Sequence, residues 1–460
     1  MTSLRLKCTG PAPVHRLRKI GGVAMALAFA APLSFVVTTP AEAKPKPKAA
    51  ATAQPAVLGN SVADFYAYRK DYPLWLASGA GDSAERLVDL LASAELDGLD
   101  PDRYGVATLR NAVQMARAGD FKMRQRVDHQ LSQAFVAYVA DMRRDPGGVI
   151  YVEPQLIPSA PQSRYLLNDV ARASTPAKYL ADMPWMNPIY VDLRKALASK
   201  RFEGESQREQ LALNLDRARV LPATDRRYIL VNAAQQQLFT YDNRRQVDHM
   251  RVVVGKAKNP TPMMAALVRF AALNPYWYVP PDLASERIAP NVLKQGMPYL
   301  DRLGYEVMSD WSPAAAIIDP KTIDWKSVAA GKTEIFVRQQ PGPHNSMGRM
   351  KFMFPNEAGV YLHDNPEREL FEQAARLYSG GCVGLEDAAR LGKWLFGRDL
   401  VWEGAGTEER VPLEQPVPVY ITYLTAMPQD DGSIAFFDDV YGRDKAKMAS
   451  LEHAASDAGR

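Results

Sequence analysis

Two side chains that together perform nucleophilic chemistry stand nineteen positions apart in this chain, His363 and Cys382. A cysteine attacks a carbonyl carbon as its thiolate, so it needs a neighbouring base or a local positive field. The other cysteine, Cys8, lies in an N-terminal segment that we expect to be removed, which leaves Cys382 without a partner for an internal disulfide. The pattern therefore favours a working nucleophile at Cys382, and the alternative is a buried structural cysteine.

Small residues surround the thiol in the run Tyr-Ser-Gly-Gly-Cys-Val, from Tyr378 to Val383. Gly380 and Gly381 permit a strained turn and leave main-chain N–H groups open to a ligand. Such N–H groups stabilise the oxyanion of a tetrahedral intermediate. We expect the Ser379 hydroxyl to bond either this turn or the imidazole of the histidine.

The elements that must position these residues change in character near the middle of the chain. Residues 59–222 carry apolar side chains at helical spacing, which predicts a helical scaffold domain. Residues 223–443 carry short strand-like runs with few helices, which predicts a β-rich domain of the sandwich or barrel type. The expected fold class is therefore α+β, and residues 444–460 form a polar tail.

Within the β-rich part, the sequence predicts a strand over 359–363 that ends at the histidine, and a helix over 386–396 that begins after the cysteine. A strand end and a helix entry are natural neighbours in a compact fold, so we expect the imidazole to reach the thiol. Another helix is predicted over 366–377. Residues 280–333 form a long segment between core strands, and we expect a capping insertion there.

The first residues have the features of an export signal. Residues 1–43 contain a basic start, an apolar run and a small-x-small cleavage site, and residues 44–58 form a linker of Lys, Pro and Ala. We expect cleavage and a periplasmic location, the alternative being an uncleaved membrane anchor. Because residues 1–43 hold five basic residues and one acidic residue, they account for the whole formal charge of +4. The remainder is near neutral, so we expect no nucleic-acid partner and no later membrane span.

Several other motifs fail on inspection. Gly331-Lys332-Thr333 resembles a phosphate loop, but Lys326 stands where that motif requires glycine. The chain has no His-Glu-x-x-His and no Cys-x-x-Cys, the common zinc signatures. We therefore expect neither a metal nor a cofactor.

A histidine followed about twenty residues later by Ser-x-Gly-Cys resembles the motif of the YkuD-type L,D-transpeptidases of bacterial cell walls. Companion segments occur in the order typical of that family, and the helical half is similar to the scaffold domain of its large, YcbB-type branch. The matching segments are Val254-Gly255, Thr261-Pro262, Leu273 to Pro281, Arg338 to Asn345, Gly348 to Phe352 and Tyr361 to Asp364.

The resemblance implies chemistry on peptidoglycan stem peptides that contain meso-diaminopimelate. Cys382 would attack the carbonyl of the L-centre of diaminopimelate in a donor tetrapeptide, D-Ala would leave, and an acceptor amine would complete a 3→3 crosslink. His363 would act as general base and acid, oriented by the peptide oxygen of Asp364. The N–H groups of Gly381 and Cys382 would form the oxyanion hole, and other cell-wall enzymes are candidate partners.

The substrate-binding residues expected from the resemblance and the pattern are Tyr361, Asn345, Arg338, Gly380 and Asp364. The chain departs from the family at Gly384, two residues after the cysteine, where Arg or Asn is common. Trp311, Tyr299 and Trp325 in the capping insertion are expected to form an apolar underside, unless that segment packs on itself.

Two other functions stay open on the sequence. An L,D-carboxypeptidase, or a hydrolase that releases wall-linked proteins, would form the same acyl-enzyme and pass it to water. A non-catalytic wall-binding protein is the third hypothesis, favoured if the missing arginine has disarmed the thiol.

Overall fold

The computed structural model describes residues 59–458, apart from residues 200, 203, 313 and 405–407. The predicted export signal over 1–43 and the predicted linker over 44–58 lie outside the described residues. Within the described part, no helix has both the length and the apolar character needed to cross a bilayer.

The N-terminal half is helical, as its periodicity predicts. Short 3₁₀ turns connect the helices, and one short strand, β1 (Ile150–Tyr151), leaves this half to join the sheet of the other. The helices are α1 (Val62–Tyr68), α2 (Ser83–Ala92), α3 (Val106–Ala118), α4 (Phe121–Met142), α5 (Ser163–Arg172), α6 (Pro176–Asp182), α7 (Pro188–Ala198) and α8 (Glu205–Ala218).

A buried carboxylate on α4 fixes the entry of the chain into this helical half. Asp128 is fully buried and accepts hydrogen bonds from the backbone N–H groups of Leu74, Trp75 and Leu76, at 2.6, 2.8 and 2.8 Å. The segment around Trp75 is not helical, so these three N–H groups would otherwise be buried without acceptors. The carboxylate thus takes the place of a strand or helix partner for them.

The C-terminal half is built mainly from strands. Its main sheet contains ten strands when β1 is included. The strands of this half are β2 (Tyr228–Asn232), β3 (Gln237–Asp242), β4 (Arg245–Gly255), β5 (Met264–Leu273), β6 (Trp277–Val279), β7 (Tyr305–Met308), β8 (Ile317–Ile318), β9 (Phe336–Gln339), β10 (Met350–Met353), β11 (Leu362–Asp364), β12 (Leu377–Ser379), β13 (Val383–Leu385), β14 (Glu409–Thr422), β15 (Ala426–Pro428) and β16 (Ile434–Phe436).

The main sheet closes on itself. Its strands run in the order β5, β10, β11, β13, β4, β3, β2 and β14, and β14 also pairs with β5. The enclosed side holds an apolar cluster that includes Phe352, Leu362 and Val383. The helical half covers the opposite side of β2 and β3, because Leu230 and Phe239 belong to the same apolar cluster as its helices. The predicted order, helices first and then a β-rich domain, is confirmed.

The residues after β6 form a cap with its own small sheet and core. The sheet runs in the order β6, β9, β7, β8, and its inner side packs on helices that follow β6. The helices of the C-terminal half are α9 (Pro281–Leu283), which a π-helical turn (Ala284–Ile288) joins to α10 (Ala289–Gln295), then α11 (Pro298–Leu303), α12 (Trp325–Ala329), α13 (Ala388–Phe396) and α14 (Arg443–Ala458). Tyr299 and Trp325 lie inside this core, so they are not an exposed underside.

Two local predictions are wrong. The helix predicted over 366–377 is a short 3₁₀ turn (Arg368–Glu372) followed by strand β12, because the segment is needed to pair with β4. The strand predicted over 359–363 covers Leu362–Asp364 instead, so His363 lies within the strand and not at its end.

Replacing the buried carboxylate of Asp128 by the methyl group of alanine leaves three buried N–H groups without an acceptor. We expect Asp128→Ala to lower the free energy of unfolding by roughly 3–5 kcal/mol, measured by urea denaturation. Asp169→Ala, an exposed position on α5 paired loosely with Arg172 at 3.8 Å, is the control and should change stability by less than ~0.5 kcal/mol. Equal effects of the two variants would contradict the role given to Asp128.

Candidate active site

Strand pairing brings the histidine and the cysteine to one side of the main sheet. Strands β11 and β13 are parallel neighbours, with Leu362 opposite Val383 and His363 opposite Gly384. Because successive side chains of a strand point to opposite sides, Leu362 and Val383 enter the enclosed core while His363 points outward. Cys382 comes one residue before β13, and the N–H of Val383 donates to the oxygen of Tyr361 at 3.1 Å.

The geometry of His363 fixes its protonation. Its Nδ1 lies 2.7 Å from the backbone oxygen of Asp364. Since a carbonyl oxygen only accepts hydrogen bonds, Nδ1 carries the proton and Nε2 keeps its lone pair. The ring is 6% exposed, and burial lowers the pKa of His363 from 6.5 to about 4. The imidazole is therefore neutral at physiological pH and available as a base, and the orienting role expected for the Asp364 oxygen matches this contact.

The loop before β13 is held by the serine hydroxyl. Ser379 Oγ donates to the backbone oxygen of Cys382 at 2.6 Å and accepts from the N–H of Gly381 at 3.1 Å. Of the two alternatives for Ser379, bonding of the turn is the one observed. Gly381 has a φ of +122°, a conformation that side chains with a Cβ rarely adopt. The N–H of Gly381 is thus engaged within the loop, and its use as an oxyanion donor requires release of the Ser379 contact.

A second set of hydrogen bonds supports this loop from β4. The buried Thr261 hydroxyl donates to the oxygen of Gly381 at 3.0 Å and accepts from the N–H of Gly255 at 2.9 Å. The Tyr441 hydroxyl donates to the oxygen of Gly255 at 2.6 Å. Gly255 and Thr261 lie in segments that resemble the family, but their supporting role depends on contacts that spacing along the chain does not reveal.

The thiol itself is partly accessible. Cys382 is neither fully buried nor fully exposed, and its Sγ lies 3.6 Å from the backbone oxygen of Gly359. A long contact to a carbonyl holds a thiol weakly. The Cys382 side chain is therefore placed at a surface where a substrate carbonyl has access.

A lysine that the sequence analysis did not single out lies beside the histidine. Lys351 is opposite His363 on the neighbouring strand β10 and therefore points to the same side of the sheet. Its Nζ lies 3.0 Å from Glu408 Oε2 and 3.1 Å from the backbone oxygen of Tyr276. Burial lowers the pKa of Lys351, while the negative charges of Glu408 and Cys382 act in the opposite direction. The sequence does contain a signal for this lysine, since it stands between apolar positions of a strand. A lysine buried in this way is rare unless an acidic residue pairs with it.

Gly384 stands in the same row as Lys351 and His363. A Cβ placed on Gly384 would lie 3.1 Å from Asn365 Nδ2 and 3.4 Å from Val253 Cβ. Any larger residue at this position requires Asn365 to shift. The arginines that flank the site elsewhere do not fill the gap, since Arg376 is buried against backbone oxygens, among them that of Gln236.

The expected substrate-binding residues divide into two groups. Asn345 is wrong as a substrate contact: it is 1% exposed, and its amide is used by the oxygens of Pro275 and Gln340, both at 2.9 Å. The Asp364 carboxylate likewise serves the fold, accepting from the N–H of Arg349 at 2.9 Å.

The other expected residues lie where a substrate can reach them. Tyr361 is half-buried, with its ring centroid 6.0 Å from that of His363. A Cβ on Gly380 would meet Leu283 of the cap at 3.2 Å, so the cap adjoins the cysteine loop. Arg338 lies on the cap sheet, paired with Glu306 at 2.6 Å.

Two clefts open near the end of β11, and neither is lined by His363 or Cys382. The first has a volume of about 410 Å³ and is lined by Arg349, Asp364 and Arg368 among others. The second, of about 300 Å³, includes Asn365 and His344. In the described part of the chain, no three His, Cys, Asp or Glu side chains come together as metal ligands.

Comparison with known proteins finds two families along the chain. Residues 226–419 match the YkuD family, the L,D-transpeptidase catalytic domain, and residues 60–197 match the scaffold domain family. A Haemophilus influenzae protein named "Putative L,D-transpeptidase" is 25% identical over 400 residues, which are 84% of this chain and 78% of that protein.

Two solved structures show more distant similarity, each at 14% identity and a TM-score of 0.21. One is an L,D-transpeptidase from Mycobacterium smegmatis, where the match covers 42% of this chain and 58% of the other. The second, described as the Ldtfm–avibactam carbamoyl enzyme, is matched over 44% of this chain and 51% of its own. The match thus spans little more than half of each solved chain.

The protein carries an L,D-transpeptidase catalytic domain of the YkuD family. A scaffold domain precedes it in the same chain, and the family resemblance inferred from the sequence is confirmed.

The buried, neutral state of His363 predicts a stability that depends on pH. An imidazole in the unfolded chain binds a proton near pH 6.5, whereas folded His363 does so only near pH 4. Between these values the unfolded state binds more protons, so acidification from 6.5 to 4 should cost the native protein roughly 3 kcal/mol more than it costs His363→Gln. Urea denaturation of both proteins across this range measures the difference, and parallel curves would contradict the burial of a neutral ring.

The ion pair of Lys351 and Glu408 predicts non-additive mutations. Lys351→Met leaves the poorly exposed Glu408 carboxylate with only Arg410, whose Nε lies 3.6 Å from Oε1, and should destabilise the protein by roughly 3 kcal/mol. The double variant Lys351→Met/Glu408→Leu removes both charges and should recover most of that loss. Additive effects in this double-mutant cycle would show that the pair is not coupled.

The same double variant tests whether the cation acts on the thiol. With stability restored, alkylation of Cys382 by iodoacetamide at neutral pH should be severalfold slower than in the native protein, because the thiolate has lost a nearby positive charge. An unchanged rate would limit Lys351 to a structural role.

Proposed function

We propose that this protein is a cysteine L,D-transpeptidase that forms 3→3 crosslinks in peptidoglycan from a tetrapeptide donor. The observation that carries the proposal is the pairing, inside a YkuD domain, of a neutral, oriented His363 with a partly accessible Cys382 on the same side of the sheet. A general base and a nucleophile in this relation are the requirement for acyl transfer.

In the first step, Nε2 of His363 accepts the thiol proton as Sγ of Cys382 attacks the carbonyl of the L-centre of diaminopimelate. The tetrahedral intermediate collapses when the bond to D-Ala breaks, and the leaving amine takes the proton from His363. The products are a thioester on Cys382 and free D-Ala. His363 returns to its neutral state, which is the state that its burial favours.

In the second step, the side-chain amine of an acceptor diaminopimelate attacks the thioester carbonyl. His363 accepts a proton from this amine and passes it to the departing thiolate of Cys382. An amide bond forms, the thioester breaks, and the enzyme is regenerated with its thiol protonated. No cofactor is required for either step.

Stabilisation of the intermediate is assigned to the backbone N–H groups of Cys382 and Gly381. The second of these donates to Ser379 Oγ in this structure. Because the Ser379 hydroxyl is shared with the oxygen of Cys382, a small rotation of the loop on substrate binding exchanges one acceptor for another. Removal of one hydrogen-bond donor aimed at the developing oxyanion commonly raises the activation barrier by about 3–4 kcal/mol.

The export signal expected over 1–43 supports a periplasmic location, where the proposed polymer substrate lies. The near-neutral charge of the remaining chain is consistent with a substrate that carries both ammonium and carboxylate groups. Other cell-wall enzymes remain candidate partners, because the proposed substrate is the cell-wall polymer.

Mass spectrometry of the native protein with disaccharide-tetrapeptide tests the proposal. We expect a dimer that contains a 3→3 link, loss of one D-Ala per link, and a thioester on Cys382 as a transient adduct. Cys382→Ala should form neither adduct nor dimer, and His363→Gln should form the dimer at least 100-fold more slowly, the usual scale of general base catalysis.

The alternatives give different products in the same experiment. Release of D-Ala without a dimer identifies water as the acceptor and favours a carboxypeptidase or hydrolase. A covalent adduct on the Cys382→Ala variant would show that Cys382 is not the nucleophile. No reaction in a folded native protein supports a non-catalytic wall-binding role.

A further inference from the structure

The outer side of the cap sheet carries exposed aromatic side chains. Along β6, Trp277 and Val279 enter the core of the cap, so Tyr278 between them points outward and is 42% exposed. Phe336 at the start of β9 is 36% exposed. Large aromatic rings exposed together are uncommon on a monomer and mark a binding surface more often than scattered ones do.

Tyr276 and Trp311 join Tyr278 and Phe336 in a continuous run of four aromatic rings. We call this run the aromatic platform. The centroid of Tyr278 lies 6.4 Å from that of Tyr276 and 5.2 Å from that of Trp311. Trp311 lies 5.2 Å from Phe336. Trp311 thus belongs to the outer side of the cap, in contrast to its expected place on an underside.

A charged pair lies within the platform. Strand register places Arg338 opposite both Tyr278 and Glu306, so the three side chains share the outer side of the sheet. Arg338 Nε lies 2.6 Å from Glu306 Oε2, and its guanidinium stacks 4.7 Å from the ring centroid of Tyr276. The two charges neutralise each other but keep further donor and acceptor capacity. The surface therefore suits a ligand that is uncharged, rich in hydroxyl groups and apolar on one face.

The platform is continuous with the candidate active site. Lys351, opposite His363 on the main sheet, holds its Nζ 5.8 Å from the ring centroid of Tyr278 and 3.1 Å from the oxygen of Tyr276. One end of the platform thus begins one strand away from the catalytic base. A three-residue peptide spans at most roughly 10 Å, which is the scale of the separation between the sugar and the diaminopimelate of one stem.

We propose that the aromatic platform binds the glycan strand of peptidoglycan that bears the donor stem peptide, with sugar rings stacked on Tyr278, Trp311 and Phe336. The inference rests on the proposed function, which supplies the identity of the polymer. Pyranose rings present C–H groups on one face and hydroxyls at the edge, which complements aromatic faces beside the Arg338–Glu306 pair. The platform would thereby hold the polymer while the stem reaches the thiol.

A comparison of two substrates, one with the disaccharide and one without it, distinguishes an effect on glycan binding from an effect on the chemical step. We would measure kcat/KM for release of D-Ala from disaccharide-tetrapeptide and from the free tetrapeptide, and take the ratio of the two. In the native protein we expect the disaccharide to be favoured. Tyr278→Ala and Phe336→Ala should each lower the ratio roughly three- to tenfold, the scale of a single aromatic contact.

The control is Tyr165→Ala, which removes an exposed tyrosine ring from helix α5 of the scaffold and should leave the ratio unchanged. Thermal unfolding of all variants verifies that the fold is retained. An unchanged ratio in both platform variants would overturn the inference and leave the surface to a protein partner.

A binding measurement separates failure of the inference from failure of the proposed function. Glycan strands freed of their peptides by an amidase are titrated into the native protein and into Tyr278→Ala with Phe336→Ala combined. Saturable binding that the combined variant loses supports the platform even if neither tetrapeptide is turned over. Binding that the variant retains in full, or that the native protein lacks, overturns the inference whatever the enzyme does to the peptide.

Discussion

The register of three neighbouring strands is the constraint on which the candidate active site depends. Pairing of β10, β11 and β13 places Phe352, Leu362 and Val383 in the enclosed core. The same pairing aligns Lys351, His363 and Gly384 on the other side. A slip of one residue would exchange the two sides completely. The burial energy of the core residues therefore also fixes the position of His363 in the sheet, and hydrogen bonds such as that to the Asp364 oxygen set the orientation of its ring.

Burial of the base has two consequences that act together. His363 is removed from water near a cap whose Leu283 approaches Gly380, and its pKa falls to about 4. In the proposed mechanism the ring accepts and returns a proton twice in one turnover, and its low pKa favours the return. The cost is that it does not hold a lasting positive charge beside the thiolate. A buried Lys351, held by Glu408, supplies a cation on the same side of the sheet.

The sequence was sufficient for the features that depend on local pattern or on a compact motif. Apolar spacing located the helices of the scaffold, and the run around Cys382 predicted a tight glycine-containing loop. It left two partners open for the Ser379 hydroxyl, of which the turn is the one observed. Features that depend on pairing between residues far apart in the chain could not be predicted from the sequence. Residues 366–377 have helical composition, yet β12 forms there because the end of β4, at Val254 and Gly255, lies beyond its pairing with β13 and is available to β12.

The errors at the site have a similar origin. Asn345 was expected to face substrate because it follows a family segment, but four nearby backbone groups use its amide completely. Lys351 was overlooked because its meaning comes from Glu408, nearly sixty residues away, and from a neighbouring strand. Neither the pairing with Glu408 nor the register with the neighbouring strand can be deduced from spacing along the chain.

Strand β1 gives the molecule a property that its division into helical and β-rich halves conceals. Ile150 and Tyr151, inside the helical half, pair with Met264 and Ala265 at the edge of the main sheet. The outer sides of β2 and β3 share their apolar cluster with the scaffold helices. The catalytic half is therefore not a detachable module: separated from residues 59–222 it would present an unpaired strand edge and a bare apolar surface. Evolutionary exchange of one half for an unrelated partner is disfavoured for the same reason, and the two halves are expected to be inherited as a unit.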